Sequence, residues 1–167
     1  MIRYCADCGV ETAVQRVGTQ QLSVCPKCER IYFRNPKLVV TALIEEGGRV
    51  LLVLRDIEPG RGLWGLPGGY VDWNEHPEAA MVRECEEETG AEVAPRQLIA
   101  VEHIVMGEEG IVMLAYRAQL LGGEVRARDE VQKVAWFAPD ALPPLAFSSH
   151  RVVLERWSHE RLARGAA

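Results

Sequence analysis

Two sets of residues in this chain have the types and spacings that carry chemistry. The first lies in the glycine-opened stretch from Gly68 to Ala91, which holds six glutamates. Pro77 suits a first helical position and Gly90 the residue just past a helix end, so the spacing predicts a helix of about three and a half turns between them. At roughly 100° per residue, Ala80, Glu84, Glu87 and Glu88 share one face, while Met81, Val82, Cys85 and Thr89 share another. Carboxylates at i, i+3 and i+4 repel each other and crowd the helix end where the dipole disfavours anions. A cation over that face would offset both costs. A few hard oxygen ligands, with room left for water and phosphate, describe a Mg²⁺ or Mn²⁺ site. A solvated acidic face is the plain alternative; the small Ala80 and the glycine loop feeding the helix favour the metal. Gly68 and Gly69 would let the backbone come close to a metal or phosphate.

The second set is Cys5, Cys8, Cys25 and Cys28, in the pattern C-x2-C-x16-C-x2-C. This is the spacing of a tetrahedral four-thiolate zinc site, each pair supplying two ligands. Such a site is closed to substrate, so the zinc is expected to be structural. A segment of 36 residues cannot bury enough core to fold unaided, which makes a metal the natural support. Two disulfides are the alternative, disfavoured in a reducing compartment. The insert from Glu11 to Val24 carries Arg16 as its one cation, so a structural or dimerisation module is expected rather than a nucleic-acid binder. Cys85, the fifth cysteine, reads as a buried free thiol. The four histidines show no ligand spacing.

The elements that must position these residues can be read around them. Residues 1–36 form the expected ribbon and 37–167 the main domain, joined through Tyr32 to Pro36. Leu38 to Ile44 and Val50 to Leu54 are apolar runs joined by a Gly47-Gly48 hairpin. Arg55 and Arg61 flank a polar loop; their guanidinium forks match phosphate oxygens, which makes them substrate-binding candidates. Trp64 is a candidate for stacking on a base, with a core role as the alternative. Arg96 to Met106, Ile111 to Gln119 and Val131 to Phe137 read as strands. A last helix from Ser148 or Ser149 to about Leu162 would turn Val152, Val153, Leu154 and Trp157 inward. The class is α/β with a mixed sheet between helices. A net charge of −5 argues against general nucleic-acid binding. No apolar run reaches the roughly 18 residues of a membrane span, and Met1 to Gly9 lacks a signal-peptide core, so no membrane partner and a cytoplasmic location are expected.

Gly69, Glu75 and the run Arg83-Glu-Cys-Glu-Glu-Glu-Thr-Gly-Ala91 together resemble the complete Nudix box, with Cys85 and Ala91 in its apolar slots. The resemblance implies an α/β/α sandwich and metal-dependent hydrolysis of a nucleoside diphosphate linked to another group. It implies that Glu84, Glu87 and Glu88 hold the catalytic metal, with Glu87 or Glu88 a candidate general base, and that Glu75 and Arg83 form an orienting ion pair. A homodimer is a family expectation. A ribbon before a Nudix domain is similar to NADH pyrophosphatases, but their Ser-Gln-Pro-Trp-Pro-Phe-Pro-like stretch is absent. Asn35-Pro-Lys37 with Val39-Val40, and Leu145-Ala-Phe-Ser-Ser149, resemble instead the zinc-ribbon FAD and ADP-ribose pyrophosphatases of plants. The proline that many ADP-ribose hydrolases place after the box is missing. Three functions follow: hydrolysis of FAD or ADP-ribose, hydrolysis of nucleoside triphosphates or capped RNA, or a nucleotide-binding sensor without catalysis. The intact acidic positions favour an enzyme.

Overall fold

The computed structural model describes residues 1–165; residues 166 and 167, the last of the expected main domain, lie outside them. The chain divides into two compact units, Met1–Pro36 and the remainder from Lys37.

In the first unit β1 (Ala13–Val17), β2 (Gln20–Val24) and β3 (Ile31–Tyr32) form an antiparallel three-stranded sheet. Leu22, Val24, Cys5 and Cys25 are its buried residues of apolar character, a core too small to stand without support. The two cysteine pairs turn alike. Gly9 N–H donates to the Cys5 carbonyl and Glu29 N–H to that of Cys25, both over 2.9 Å. Both residues are left-handed, with φ of 68° and 59°, so the second turn uses a glutamate where the first uses glycine.

The second unit is built on β4 (Lys37–Glu46), β5 (Arg49–Arg55), β6 (Trp64–Gly65), β7 (Ala91–Met106), β8 (Glu109–Gly123) and β9 (Val131–Phe137), with helices α1 (Pro77–Thr89) and α2 (Ser148–Gly165). The strand order is β6-β5-β4-β8-β7, and β9 pairs with β5. β4 and β8 run parallel while the other pairs are antiparallel, so the sheet is mixed as its sequence suggests. β4 alternates between two cores, as a strand covered on both faces must. Val40, Ala42 and Ile44 meet Ala80, Met81 and Cys85 of α1; Leu43 meets Val153, Leu154 and Trp157 of α2. The result is a helix layer on each face, the expected α/β/α arrangement. No helix among the described residues is long and apolar enough to cross a membrane.

Some details differ from the sequence reading. Ala80 lies in the core beneath α1, not on an open carboxylate face. Val152 is exposed, because the buried stripe of α2 runs through Ser149, His150, Val153, Leu154 and Trp157. The β7–β8 hairpin also extends beyond the predicted strands at both far ends, since its ladder continues through Ala91 and Gly123.

α1 shows why the loop before it can be so tight. His76 caps it, Nδ1 accepting from Glu78 N–H at 3.3 Å, Pro77 opens it, and left-handed Gly90 closes it through a 2.8 Å bond to the Glu86 carbonyl. Upstream, Val40 N–H donates to the Gly69 carbonyl and Ala42 N–H to that of Pro67, both at 2.9 Å. This pins the glycine loop along β4. Gly68 adopts φ of 146° there, and a Cβ would run into the Val40 carbonyl. Gly68→Ala should therefore cost roughly 3 kcal/mol or more, read as a lowered urea midpoint.

Candidate active site and zinc centre

Glu84, Glu87 and Glu88 leave the last turns of α1 toward a cavity of about 690 Å³. The α1 core residues fix the helix rotation, and the pinned Gly68–Gly69 loop lies against its carboxylate face. A Cβ on Gly69 would sit 2.5 Å from the Glu84 carboxylate, so glycine there is what lets backbone and carboxylate approach. Glu88 is 7% exposed, and one of its oxygens accepts the Gly68 N–H at 2.8 Å. Burial pushes its carboxyl up to about 8. Glu84 is also raised, chiefly by burial.

Arg83 ties this group together. Its Nε and Nη2 donate to both oxygens of Glu75, at 3.0 and 2.9 Å. Its Nη1 donates to Glu84 at 2.8 Å and Glu87 at 2.9 Å, and Nη2 reaches the Tyr70 carbonyl at 3.1 Å. Glu75, through that guanidinium, is held well below the ordinary carboxylate range.

The donor set suits a hard divalent cation. Glu88 is a buried carboxylate with one protein hydrogen bond among the described residues, an expensive group to ionise unless a cation meets it. All the ligand atoms on offer are oxygens, and the cavity leaves space for water and phosphate beside them. Arg83 spans two of the three carboxylates, so an ion held there would share them with the guanidinium.

Not every sequence candidate reaches the cavity. Gly68, Gly69 and Arg55 line it; Arg55 Nε donates to the Pro59 carbonyl at 2.9 Å, and its guanidinium lies 5.1 Å from the Phe147 ring centroid. Arg61 is not in the lining; it is drawn onto Asp56 at 2.8 Å. Trp64 is not in the lining either, because its ring packs edge-on against Phe137, centroids 4.8 Å apart. Both candidacies give way to local pairing. At the β7–β8 turn, Glu109 bonds Lys37 at 2.8 Å and is likewise not in the lining.

The sequence reading passed over Glu130. It lines the same cavity, its charge helps raise both Glu84 and Glu88, and its left-handed φ of 57° is an unusual conformation for glutamate. The segment before it is anchored to the end of α1 by Arg126 N–H to the Thr89 carbonyl and Arg128 N–H to that of Glu88, at 2.9 and 3.0 Å. Cys85 sits buried beneath the carboxylates, its thiol raised by burial, as a packing residue.

In the N-terminal unit the Sγ atoms of Cys5, Cys8, Cys25 and Cys28 all lie within 4.8 Å of one another. All four thiols are free, and Cys5 and Cys28 sulfurs are 3.7 Å apart. A tetrahedron with Zn–S of about 2.3 Å requires edges of about 3.8 Å, so the cluster fits zinc and not disulfides. One zinc per chain is expected by elemental analysis. Cys25→Ser, or a strong chelator, should unfold this unit and broaden its amide resonances to those of an unstructured chain.

A NUDIX domain model matches residues 34–157. An ADP-ribose pyrophosphatase of Methanocaldococcus jannaschii is 31% identical over 136 residues, 78% of this chain and 79% of that protein. The NAD-capped RNA hydrolase NudC of Pseudomonas aeruginosa is 32% identical over 144 residues, 86% of this chain; the chain spans 50% of that relative's length. The crystal structure of a NUDIX hydrolase from Nitrosomonas europaea superposes with a TM-score of 0.87 at 33% identity, covering 97% of this chain and 93% of the other.

Proposed function

The chain belongs to the Nudix family, and from that premise we propose that it hydrolyses the diphosphate of an ADP-linked compound, FAD or ADP-ribose, to AMP and the phosphorylated partner group. The observation that carries this reading is the shared cavity: its lining joins Glu84, Glu87, Glu88 and Glu130 with Arg55 and with apolar side chains of β4, β7 and β8. Its volume suits a whole nucleotide. Similarity to an ADP-ribose pyrophosphatase over most of both chains supports the same substrate class.

Glu84, Glu87 and Glu88, with Glu130 facing them, would hold Mg²⁺ or Mn²⁺. A divalent ion supplies charge neutralisation for the diphosphate and acidifies the attacking water. The chain's own residues do the rest. Arg83, clamped by Glu75, holds Glu84 and Glu87 in one orientation. A carboxylate of the cluster, Glu87, Glu88 or Glu130, accepts the proton as water attacks one phosphorus in line, and the other phosphate leaves with the anhydride oxygen. Arg55 stands where it can donate to phosphate oxygens, and the Gly68–Gly69 backbone lets the phosphates approach.

A second reading is hydrolysis of capped RNA, favoured by the similarity to NAD-capped RNA hydrolases across most of this chain. One experiment separates the two: FAD, ADP-ribose, NADH, diadenosine polyphosphates, nucleoside triphosphates and NAD-capped RNA are offered in Mg²⁺ and in Mn²⁺, with products identified by mass. AMP from FAD or ADP-ribose at the highest kcat/KM supports the first reading. Preferred cleavage of triphosphates or of the RNA cap replaces it.

A further inference from the structure

Two buried polar groups in the cavity have no task in the hydrolysis described above. Thr41, on β4, is 1% exposed, lines the cavity, and its hydroxyl has no hydrogen-bond partner. A buried hydroxyl left unpaired costs free energy, and a β-branched side chain on a strand holds its oxygen in a nearly fixed place. His150, in the first turn of α2, is 6% exposed and lines the same cavity. Its Nδ1 accepts the Leu66 N–H at 3.0 Å, and a backbone N–H can only donate, so the neutral ring carries its proton on Nε2. Burial keeps the ring neutral, with its pKa lowered to about 3. That Nε2–H has no acceptor among the described residues. Phe147, edge-on to the imidazole at 5.1 Å, fixes the ring plane.

The same lining supplies hydrocarbon from Val39, Ile111 and Met113. Ser149, the neighbour of His150, adds a hydroxyl free to rotate and so fixes no direction. With Glu88 assigned to the cation, the buried complement left for a base is one obligate donor, one hydroxyl that donates or accepts, and apolar surface. Adenine is the base whose pairing edge matches this: an acceptor at N1, an amino group at C6, and then a C–H. Guanine, cytosine and uracil each bring a third polar group to that edge, which an apolar wall would leave unpaired at the cost of a buried polar atom.

We propose that Thr41 and His150 form an adenine-reading site, His150 Nε2–H donating to N1 and the Thr41 hydroxyl accepting from the C6 amino group. The inference rests on the nucleotide reading of the cavity and selects the adenylate half of the substrate.

The test is AMP binding in Mg²⁺ by titration calorimetry. AMP has no anhydride, so the result does not depend on turnover. Thr41→Val should raise the Kd for AMP about 5- to 10-fold, the worth of one net hydrogen bond, while Thr41→Ser keeps it. Because the hydroxyl is unpaired in the protein, Thr41→Val should hold or raise the urea midpoint, which separates a binding role from a structural one. Wild-type protein should bind 1,N6-ethenoadenosine monophosphate and GMP at least 10-fold more weakly than AMP. Equal binding of either analogue by the wild type, or an unchanged Kd in Thr41→Val, overturns the proposal. If Thr41→Val does not fold, the wild-type analogue comparison decides alone. AMP bound with this selectivity but no dinucleotide hydrolysed would sink the hydrolase substrate and leave the adenine site standing; hydrolysis without base preference would do the reverse.

Discussion

Glu88→Gln is expected to lower kcat by about 10²–10³-fold, the loss typical of removing one group that stabilises charge in the transition state, and at the same time to stabilise the protein freed of Mg²⁺ and Mn²⁺ with its cysteine cluster still loaded. Glutamine still offers an oxygen to the Gly68 N–H but no charge to ligate a cation. The stability half follows from proton linkage. The carboxyl is pushed up to about 8 in the fold from an ordinary 4.5, so between those pH values the folded protein holds a proton that the unfolded chain has lost. Folding is then favoured at the acid end of the window and weakens as pH rises, by up to about 1.4 kcal/mol per pH unit. Buried His150, titrating normally only when unfolded, adds an opposite slope below 6.5; the interval clear of its contribution is pH 6.5 to 8. Urea midpoints of the zinc-loaded, Mg²⁺-free wild type should fall across it, those of Glu88→Gln should stay level, and added Mg²⁺ should restore the wild type. A wild-type midpoint that is flat across the interval would contradict this.

The second large effect concerns a residue that holds others. Arg83→Lys should reduce kcat about 10- to 100-fold and raise the Mg²⁺ concentration for half-maximal rate, the usual scale when a ligand-orienting partner is lost. Arg83 bonds Glu75, Glu84, Glu87 and the Tyr70 carbonyl at once. A lysine ammonium has neither the planar fork nor the number of donors to repeat that. KM for the nucleotide at saturating Mg²⁺ should move little. A matched loss in KM with an unchanged Mg²⁺ requirement would mean that Arg83 touches substrate and is not a positioning residue.

Much of the candidate site was legible because it is local. Pro77 and Gly90 bracket α1, and within it the period alone gathers Glu84, Glu87 and Glu88. The cysteine pairs are equally local, each a turn of four residues. What could not be read depends on long-range pairing. Glu130 reaches the cavity because Arg126 and Arg128 hydrogen-bond across to the end of α1, and no periodicity marks it; its one sequence signal is an acidic pair just before the last strand. Thr41 reads as an ordinary strand threonine until β4 is seen to turn it into the cavity. Arg61 and Trp64 looked like ligands for substrate because of their types, yet Asp56 and Phe137 were near enough to claim them first. Surface arginines and tryptophans find such partners readily, so residue type without register carries little.

The most direct test of the hydrolytic account is to run ADP-ribose with the protein and Mg²⁺ in ¹⁸O-labelled water and weigh the two monophosphate products. The account predicts AMP and ribose 5-phosphate, with a single label in one of them, and labelled product formed about 10²–10³-fold more slowly by Glu88→Gln at equal folded concentration. Tight nucleotide binding with no label in either phosphate would contradict it.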